Sequence, residues 1–400
     1  GISKEIMKEL KCDILIVGAG LTGLMTAYTL SSLKKSIILI DKFNFDQEKQ
    51  KQIDIRTTAV SEGSKDFFNK IKIWEQLSKF AEPIKKIHVV DRSDDRKIVF
   101  HNDKFKKNLG YIVKNSEIKN TVLKRLKKIK NIKLMKNFLL KGVHHTDDFV
   151  NATFKGLSIS ASLLIAADGK KSSIGNLFKA KKTVKKYDHS ALVLNIFHKK
   201  NHFNIAHEIF FNSGPIAILP MKKTNKNLFS SSIVWSSRGS HLSSKLTSNK
   251  KIMTELLQEK IFKYVGEISN IVGMEKFPLS AHINNKFYEK RIIYIGDSAH
   301  SIHPIAGQGW NLGIKDIENC FLVLKEASRL GLDIGEDYFN KRYNDKSYFD
   351  AFSLFQITDK LNTIFLKDGL MVNLFRKNAF KIIEKNKFLK KYITNYAMGY

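Results

Sequence analysis

The stretch 292–316, reading IIYIGDSAHSIHPIAGQGWNLGIKD, combines residue types that could grip a polyol and a polar ring together. Asp297 and Gly296 follow the apolar run 292–295, so the end of a buried strand carries a carboxylate to a sheet edge, where a hydroxyl can donate to it. Gly307, Gln308 and Gly309 then let the main chain approach a flat ring closely. From about Asn311 the apolar and polar residues alternate helically, which aims the first-turn N–H groups and the positive dipole end at the loop's occupant. A ring that gains negative charge on reduction, such as the pyrimidine edge of a flavin, suits that position. A bare strand-to-helix turn explains neither the acid nor both glycines.

A second candidate site stands near the N-terminus. The segment 12–27, CDILIVGAGLTGLMTA, is an apolar strand running into Gly18, Gly20 and Gly23 at the spacing G-x-G-x-x-G, with Ala27 four residues on. Gly18 allows the tight turn, Gly20 lets the backbone approach a pyrophosphate, and Gly23 with Ala27 lets the helix pack closely on the sheet. A second strand over 36–40 ends in Asp41, where an acid accepts hydrogen bonds from an adenosine ribose. This fingerprint serves NAD and FAD alike. One such fingerprint plus a distant acid-and-glycine loop describes a long cofactor held at both ends, which fits FAD better than a loosely held nicotinamide.

The elements that must position these residues point to an α/β fold. It comprises a discontinuous Rossmann-like FAD-binding domain (1–70, 105–180 and 286–325), a smaller β-sheet substrate domain (71–104 and 181–285) and a C-terminal helical segment (326–400). A helix is expected over 116–129 and a strand over 163–166, which puts Asp168 and Gly169 at another sheet edge. Alternating segments at 191–197, 216–219 and 229–235 read as strands with one buried face. Helical patterns run over 357–375 and 380–392. Four hundred residues suffice for about two domains, and no apolar run is long enough to span a bilayer. Two cysteines, Cys12 and Cys320, build neither a disulfide framework nor a zinc site, so no metal is expected. With no secretory h-region ahead of the first strand, the expected compartment is the cytoplasm. The net charge of +31 comes from lysine scattered along the whole chain, without a nucleic-acid-binding signature.

Taken together the motifs resemble the flavin-dependent aromatic monooxygenases of the para-hydroxybenzoate hydroxylase superfamily, in particular its ubiquinone-biosynthesis hydroxylase branch. The resemblance covers essentially the whole chain. It is carried by the N-terminal fingerprint, DIRTTAVS (54–61), LGYIVKN (109–115), AADGKKS (166–172), GPIAILP (214–220), HPIAGQGWNLGIKD (303–316) and the closing Ala397, Met398 and Gly399. It implies that Gly18, Gly20 and Gly23 hold the pyrophosphate and Asp41 the ribose, and that Arg56 and Asn115 lie along the ribityl and ring region. Gly296 and Asp297 would bind the ribityl chain. Gly307, Gln308, Gly309, Trp310, Asn311 and Leu312 would face the isoalloxazine, and Pro304 would border its oxygen-reactive side. Asp168 and Gly169 match a motif associated with both FAD and reduced nicotinamide, so NADPH or NADH is the implied electron donor. The chain departs from the pattern at Asp41, where Glu is more usual, at Gly175, where Arg often stands, and at His189.

The chemistry implied is hydroxylation of a polyprenylated phenol by dioxygen through a flavin 4a-hydroperoxide, with Ile218, Leu219 and Pro220 as dry pocket walls. His303 is either a base for the phenol or a loop histidine held by backbone contacts. His300 reads as structural, and His88, His189 and His207 carry no assigned role. So apolar a substrate implies docking on an anionic inner-membrane surface. Lysines from 367 to 391, interleaved with Leu370, Met371, Leu374, Phe375 and Phe380, form either an interfacial element or a helix with a solvated face. Other ubiquinone-synthesis proteins are implied partners. A non-catalytic flavin-fold scaffold subunit, or another FAD-dependent oxidoreductase, is the alternative. The isolated Trp74, Trp235 and Trp310 lack the W-x-W pattern of a halogenase, and an NAD-dependent dehydrogenase leaves Gly307 and Gly309 unexplained.

Overall fold

In the computed structural model, residues 6–45, 54–91, 96–101, 108–211, 213–238, 244–302 and 310–368 are described. The first strand, Lys8–Val17, is exposed where it begins and fully buried over its apolar end. It is flanked by two parallel neighbours, Leu157–Ala166 and Ile37–Ile40. Ile292–Tyr294 adds in parallel beside Leu157–Ala166, and Ile132–Met135 beside Ile37–Ile40. Strands covered on both faces read as unbroken apolar runs, as these do. Their registers matter for function. Val17 lies opposite both Ala166 and Ile40, and Ala166 lies opposite Tyr294. Four strands therefore finish level, and the residues that follow them share one carboxyl edge, the position where open α/β sheets bind ligands.

Helices Leu21–Leu30, Asn115–Leu126 and Trp310–Arg329 bury Met25, Ile118 and Ile317 in the core of this sheet. The helix Asp337–Asp368 also enters that core, through Phe339, Tyr343 and Phe355. Tyr343 donates its hydroxyl hydrogen to the Tyr294 carbonyl oxygen at 2.7 Å, directly behind one of the four strands. The C-terminal segment is thus fastened to the main sheet over its described length. Among the described residues no helix is long and apolar enough to cross a membrane.

A second eight-stranded sheet, mainly antiparallel, is built on Lys182–His198, paired with Ile268–Asn284 and Phe229–Arg238. Gly214–Met221 and Ile205–Phe211 continue it to Lys86–Asp91 and Arg96–His101. The helix Lys250–Val265 covers one face with Met253, Leu257 and Ile261. The other face gathers Ala217, Leu219 and Val234 with Ala59 and Ile112, which belong to a three-stranded sheet of Thr57–Val60, Gly110–Lys114 and Glu82–Ile84. His300–Ser301 pairs with Ile268–Asn284, so the segment that begins at the first sheet's edge crosses at once to the second sheet.

Candidate active site

Gly18 turns at φ +110°, and a Cβ there would lie 2.3 Å from the Ala167 carbonyl oxygen and 2.8 Å from the Asp168 Cα. The fingerprint turn is therefore pressed against the Ala-Asp-Gly backbone, a contact only glycine permits. Gly23 meets the Gly18 carbonyl oxygen in the same way, so its role is to seat the helix on the turn rather than on the sheet. Gly20 differs, because nothing lies within 4 Å of where its Cβ would be. It caps the helix Leu21–Leu30 without any side-chain bond and with no acid in the first turn. Free N–H groups facing open space form an anion site.

Asp41 enters from the neighbouring strand. Its Oδ2 accepts from the Ala19 N–H at 2.6 Å and its Oδ1 from the Phe43 N–H at 2.8 Å, which fixes the carboxylate beside the turn and leaves one lone pair on each oxygen. Across the edge, Gly296 bends the chain at φ +62°, and its missing side chain makes room for Thr22, whose atoms would be 2.9 Å from a Cβ. Asp297 then projects into the cleft. Its carboxylate makes no hydrogen bond with any described residue, and it stays open to solvent although protein rings it. Burial raises its proton affinity above the ordinary carboxylate range, His300, Lys170 and Arg56 oppose that, and Asp316 adds to it.

The two loops are tied together. Trp310 Nε1 donates to Thr22 Oγ1 at 3.1 Å, joining the start of the helix Trp310–Arg329 to the helix of the fingerprint. Asn311 Nδ2 donates to the Ala59 carbonyl oxygen at 2.6 Å, and its Oδ1 accepts from the Ser61 N–H at 3.0 Å and the Ser64 hydroxyl at 2.6 Å. The Asn311 side chain is thus a fastener, and only its backbone is available to a ligand. Leu312 lines an adjacent cavity of about 320 Å³ with Ile302, Ile314 and Leu354. His303, Pro304, Gly307, Gln308 and Gly309 lie outside the described residues.

Arg56 grips Asp54 through Nε at 3.0 Å and Nη2 at 3.1 Å, while Lys119 Nζ stands 3.8 Å from the same carboxylate. Asn115 is buried, accepting from the Thr58 hydroxyl at 2.6 Å, and its N–H bonds to the Arg56 carbonyl. Asp168 is committed elsewhere. It accepts from Ser172 Oγ at 2.6 Å, Ser173 Oγ at 3.0 Å and the Ile174 N–H at 3.4 Å, bracing the cap residue Ser172 of the short helix Ser173–Leu177. Gly169, at φ +88°, turns the chain into that cap.

On the second sheet the three apolar wall candidates separate. Leu219 faces the cluster shared with Ala59 and Ile112, whereas Ile218 points to the opposite face and packs against the helix Lys250–Val265. Successive strand residues alternate, so Ile218 cannot wall the same space as Leu219. Pro220 is buried in the same strand. His300 is buried against Asp316. His207 and His88 face each other at 5.4 Å, and burial pulls them down to about 3 and about 4.

Sequence reasoning missed Thr22, Asp54, Lys119, Lys170 and Asp316. Four of them sit inside the motifs quoted above as unremarked positions. Lys119 had no local signal, because its partner Asp54 is 65 positions away (119 − 54).

The arrangement fits FAD. An uncapped helix start with open space before it meets a diphosphate, Asp41 a ribose, and Asp297, unpaired among the described residues, a polyol hydroxyl, all on one edge. Comparison with known proteins agrees. Residues 11–332 match the family model described as FAD binding domain. The ubiquinone hydroxylase UbiL of Rhodospirillum rubrum is 28% identical over 388 residues, covering 97% of this chain and 89% of the relative. The ubiquinone hydroxylase UbiM of Neisseria meningitidis is 23% identical, covering 100% and 87%. The crystal structure of p-nitrophenol 4-monooxygenase PnpA from Pseudomonas putida superposes with a TM-score of 0.79 at 14% identity, over 98% of this chain and 99% of that one, a likeness of fold.

Proposed function

Since the chain belongs to the FAD binding domain family, we propose that it is an FAD-dependent monooxygenase that hydroxylates the aromatic ring of a polyprenylated phenol in ubiquinone biosynthesis. The observation that carries the reading is the convergence of four strand ends on one edge, with the open Gly20 turn and the unpaired Asp297 joined through Thr22 and Trp310. The full-length similarity to ubiquinone hydroxylases supports the substrate class.

When bound, reduced FAD supplies the activation of dioxygen and the transfer of one oxygen atom to the ring. The chain's own residues bind, orient and exclude water. Gly18, Gly20 and Gly23 shape the diphosphate site. Asp41 accepts from the ribose and Asp297 from the ribityl chain, with Gly296 letting the backbone bend toward it. Arg56 and Asn115 border the middle of the cofactor, and the backbone from Gly307 to Leu312 faces the ring. Asp168 and Gly169 hold the loop against Gly18. Leu219, with Ala59 and Ile112, forms the apolar side of the substrate space, whereas Pro220, two positions from Ile218, shares the opposite face of the strand; His303 and Pro304 are the proposed catalytic residues. NADPH or NADH provides the electrons. Other ubiquinone-synthesis proteins and an anionic membrane surface are its partners at the inner membrane.

The test is turnover of the purified, FAD-loaded protein with a short-chain prenylated phenol, NADPH and ¹⁸O-labelled dioxygen. A product carrying one labelled oxygen on the ring is expected. Oxidation of NADPH with no labelled product, with every ubiquinone precursor phenol offered, would refute the assignment.

A further inference from the structure

We infer that His300 is the buried cation that keeps Asp297 a carboxylate, and that Asp316 positions it, so that the flavin's polyol chain meets a charged acceptor. The inference rests on reading Asp297 as a flavin ligand. His300 and Asp316 are 2% and 1% exposed, and His300 Nε2 is in hydrogen-bond contact with Asp316 Oδ2. The same oxygen accepts from the Gly296 N–H at 3.0 Å, which holds the peptide just before Asp297. Asp316 Oδ1 is buried with no partner among the described residues. A neutral imidazole would leave Asp316 an uncompensated buried charge, so the pair is most stable with His300 protonated.

Among the described residues, the other charged groups around the site do not replace it. Arg56 is committed to Asp54, and Lys170 donates to the Ser280 carbonyl and hydroxyl. Glu275 acts on Arg56, as Asp297 itself does. His282, on the neighbouring strand, is driven neutral by burial, down to about 3. Cys320 and Tyr343, which flank Asp316, are held protonated by burial. For His300, burial lowers the proton affinity, and Asp316, followed by Asp297 and a backbone hydrogen bond, raises it, giving a net rise. After the effect of burial, His300 is the strongest charge acting on Asp297, ahead of Lys170 and Arg56.

His300→Gln keeps a donor for Asp316 and removes the charge. Without the cation, Asp297 protonates at higher pH, so FAD affinity is lost as pH falls. Apoprotein titrated with FAD by fluorescence quenching should show the parent nearly constant from pH 8.5 to 6. The variant should lie within about threefold of the parent at pH 8.5 and weaken about tenfold relative to it by pH 6. A variant profile parallel to the parent's overturns the proposal. Asp297→Asn separates the premise from the inference: parent-like FAD affinity there overturns the ligand reading itself. Should His300→Gln not fold, nitrogen NMR of ring-labelled histidine in the parent decides. A doubly protonated His300 at pH 7 supports the role, and a neutral ring there overturns it.

Discussion

Replacing Gly20 and Gly18 separately by alanine should split cofactor binding from folding. At Gly20 the new methyl enters open space and φ is −76°, a conformation alanine adopts freely. Alanine is a poorer helix N-cap than glycine by roughly 0.5 kcal/mol, and the lost flexibility of the unfolded chain returns about 0.4–1 kcal/mol. The apoprotein should therefore keep its stability to within about 0.5 kcal/mol. The open space is where the diphosphate must approach. Losing two charge-assisted hydrogen bonds at about 1.5 kcal/mol each weakens FAD by about 3 kcal/mol, on the order of 100-fold. At Gly18 the methyl would strike the Ala167–Asp168 backbone at 2.3–2.8 Å with φ at +110°. Backbone strain of about 1–3 kcal/mol and overpacking of about 1–3 kcal/mol give a loss of roughly 2–6 kcal/mol, a large share of a typical 5–15 kcal/mol. Urea unfolding of each apoprotein and FAD titration separate the two effects. A Gly20→Ala protein that binds FAD as tightly as the parent, or a Gly18→Ala protein of parental stability, refutes the reasoning.

Three further outcomes are expected. Asn311→Ala strips partners from the Ser61 N–H and the Ala59 carbonyl, lowering stability by about 2–4 kcal/mol in urea and loosening FAD. Asp168→Ala takes the acceptor from Ser172, whose side chain caps the helix Ser173–Leu177, at about 1–2 kcal/mol, and circular dichroism melting should report the loss. Glu208 is buried, its Oε2 unpartnered, and burial alone lifts its proton affinity from 4.5 to about 8. The folded state then holds a proton that the unfolded chain releases above pH 4.5. Stability falls as pH rises from about 4.5 to about 8, by on the order of 3 kcal/mol at pH 7. Glu208→Gln should flatten that slope in urea titrations across pH, and an unchanged slope would exclude Glu208 as its source.

Features governed by local sequence were the readable ones. Apolar runs at 14–17, 37–40 and 163–166 could only be buried strands, and glycines and acids at their ends had to meet at an edge. The helix expected over 116–129 is observed as Asn115–Leu126, and the strand expected over 216–219 lies within Gly214–Met221. What escaped depends on partners brought together by the fold. The task of Asp168 is set by three donors just beyond it, although Ser172 and Ser173 at that spacing do suggest a cap. Asp316 matters through His300 and Gly296, from which it is separated by 16 and 20 positions. The opposed facings of Ile218 and Leu219 follow from which side of the second sheet the helix Lys250–Val265 covers, and no short segment contains that choice.

The central claim is that two remote loops hold opposite ends of one FAD. It is tested most directly by titrating the parent and Asp297→Ala apoproteins with FAD and, separately, with ADP, which carries only the adenosine half. The account predicts that the substitution weakens FAD at least tenfold and leaves ADP unchanged. Equal losses for both ligands, or no loss for either, would contradict it.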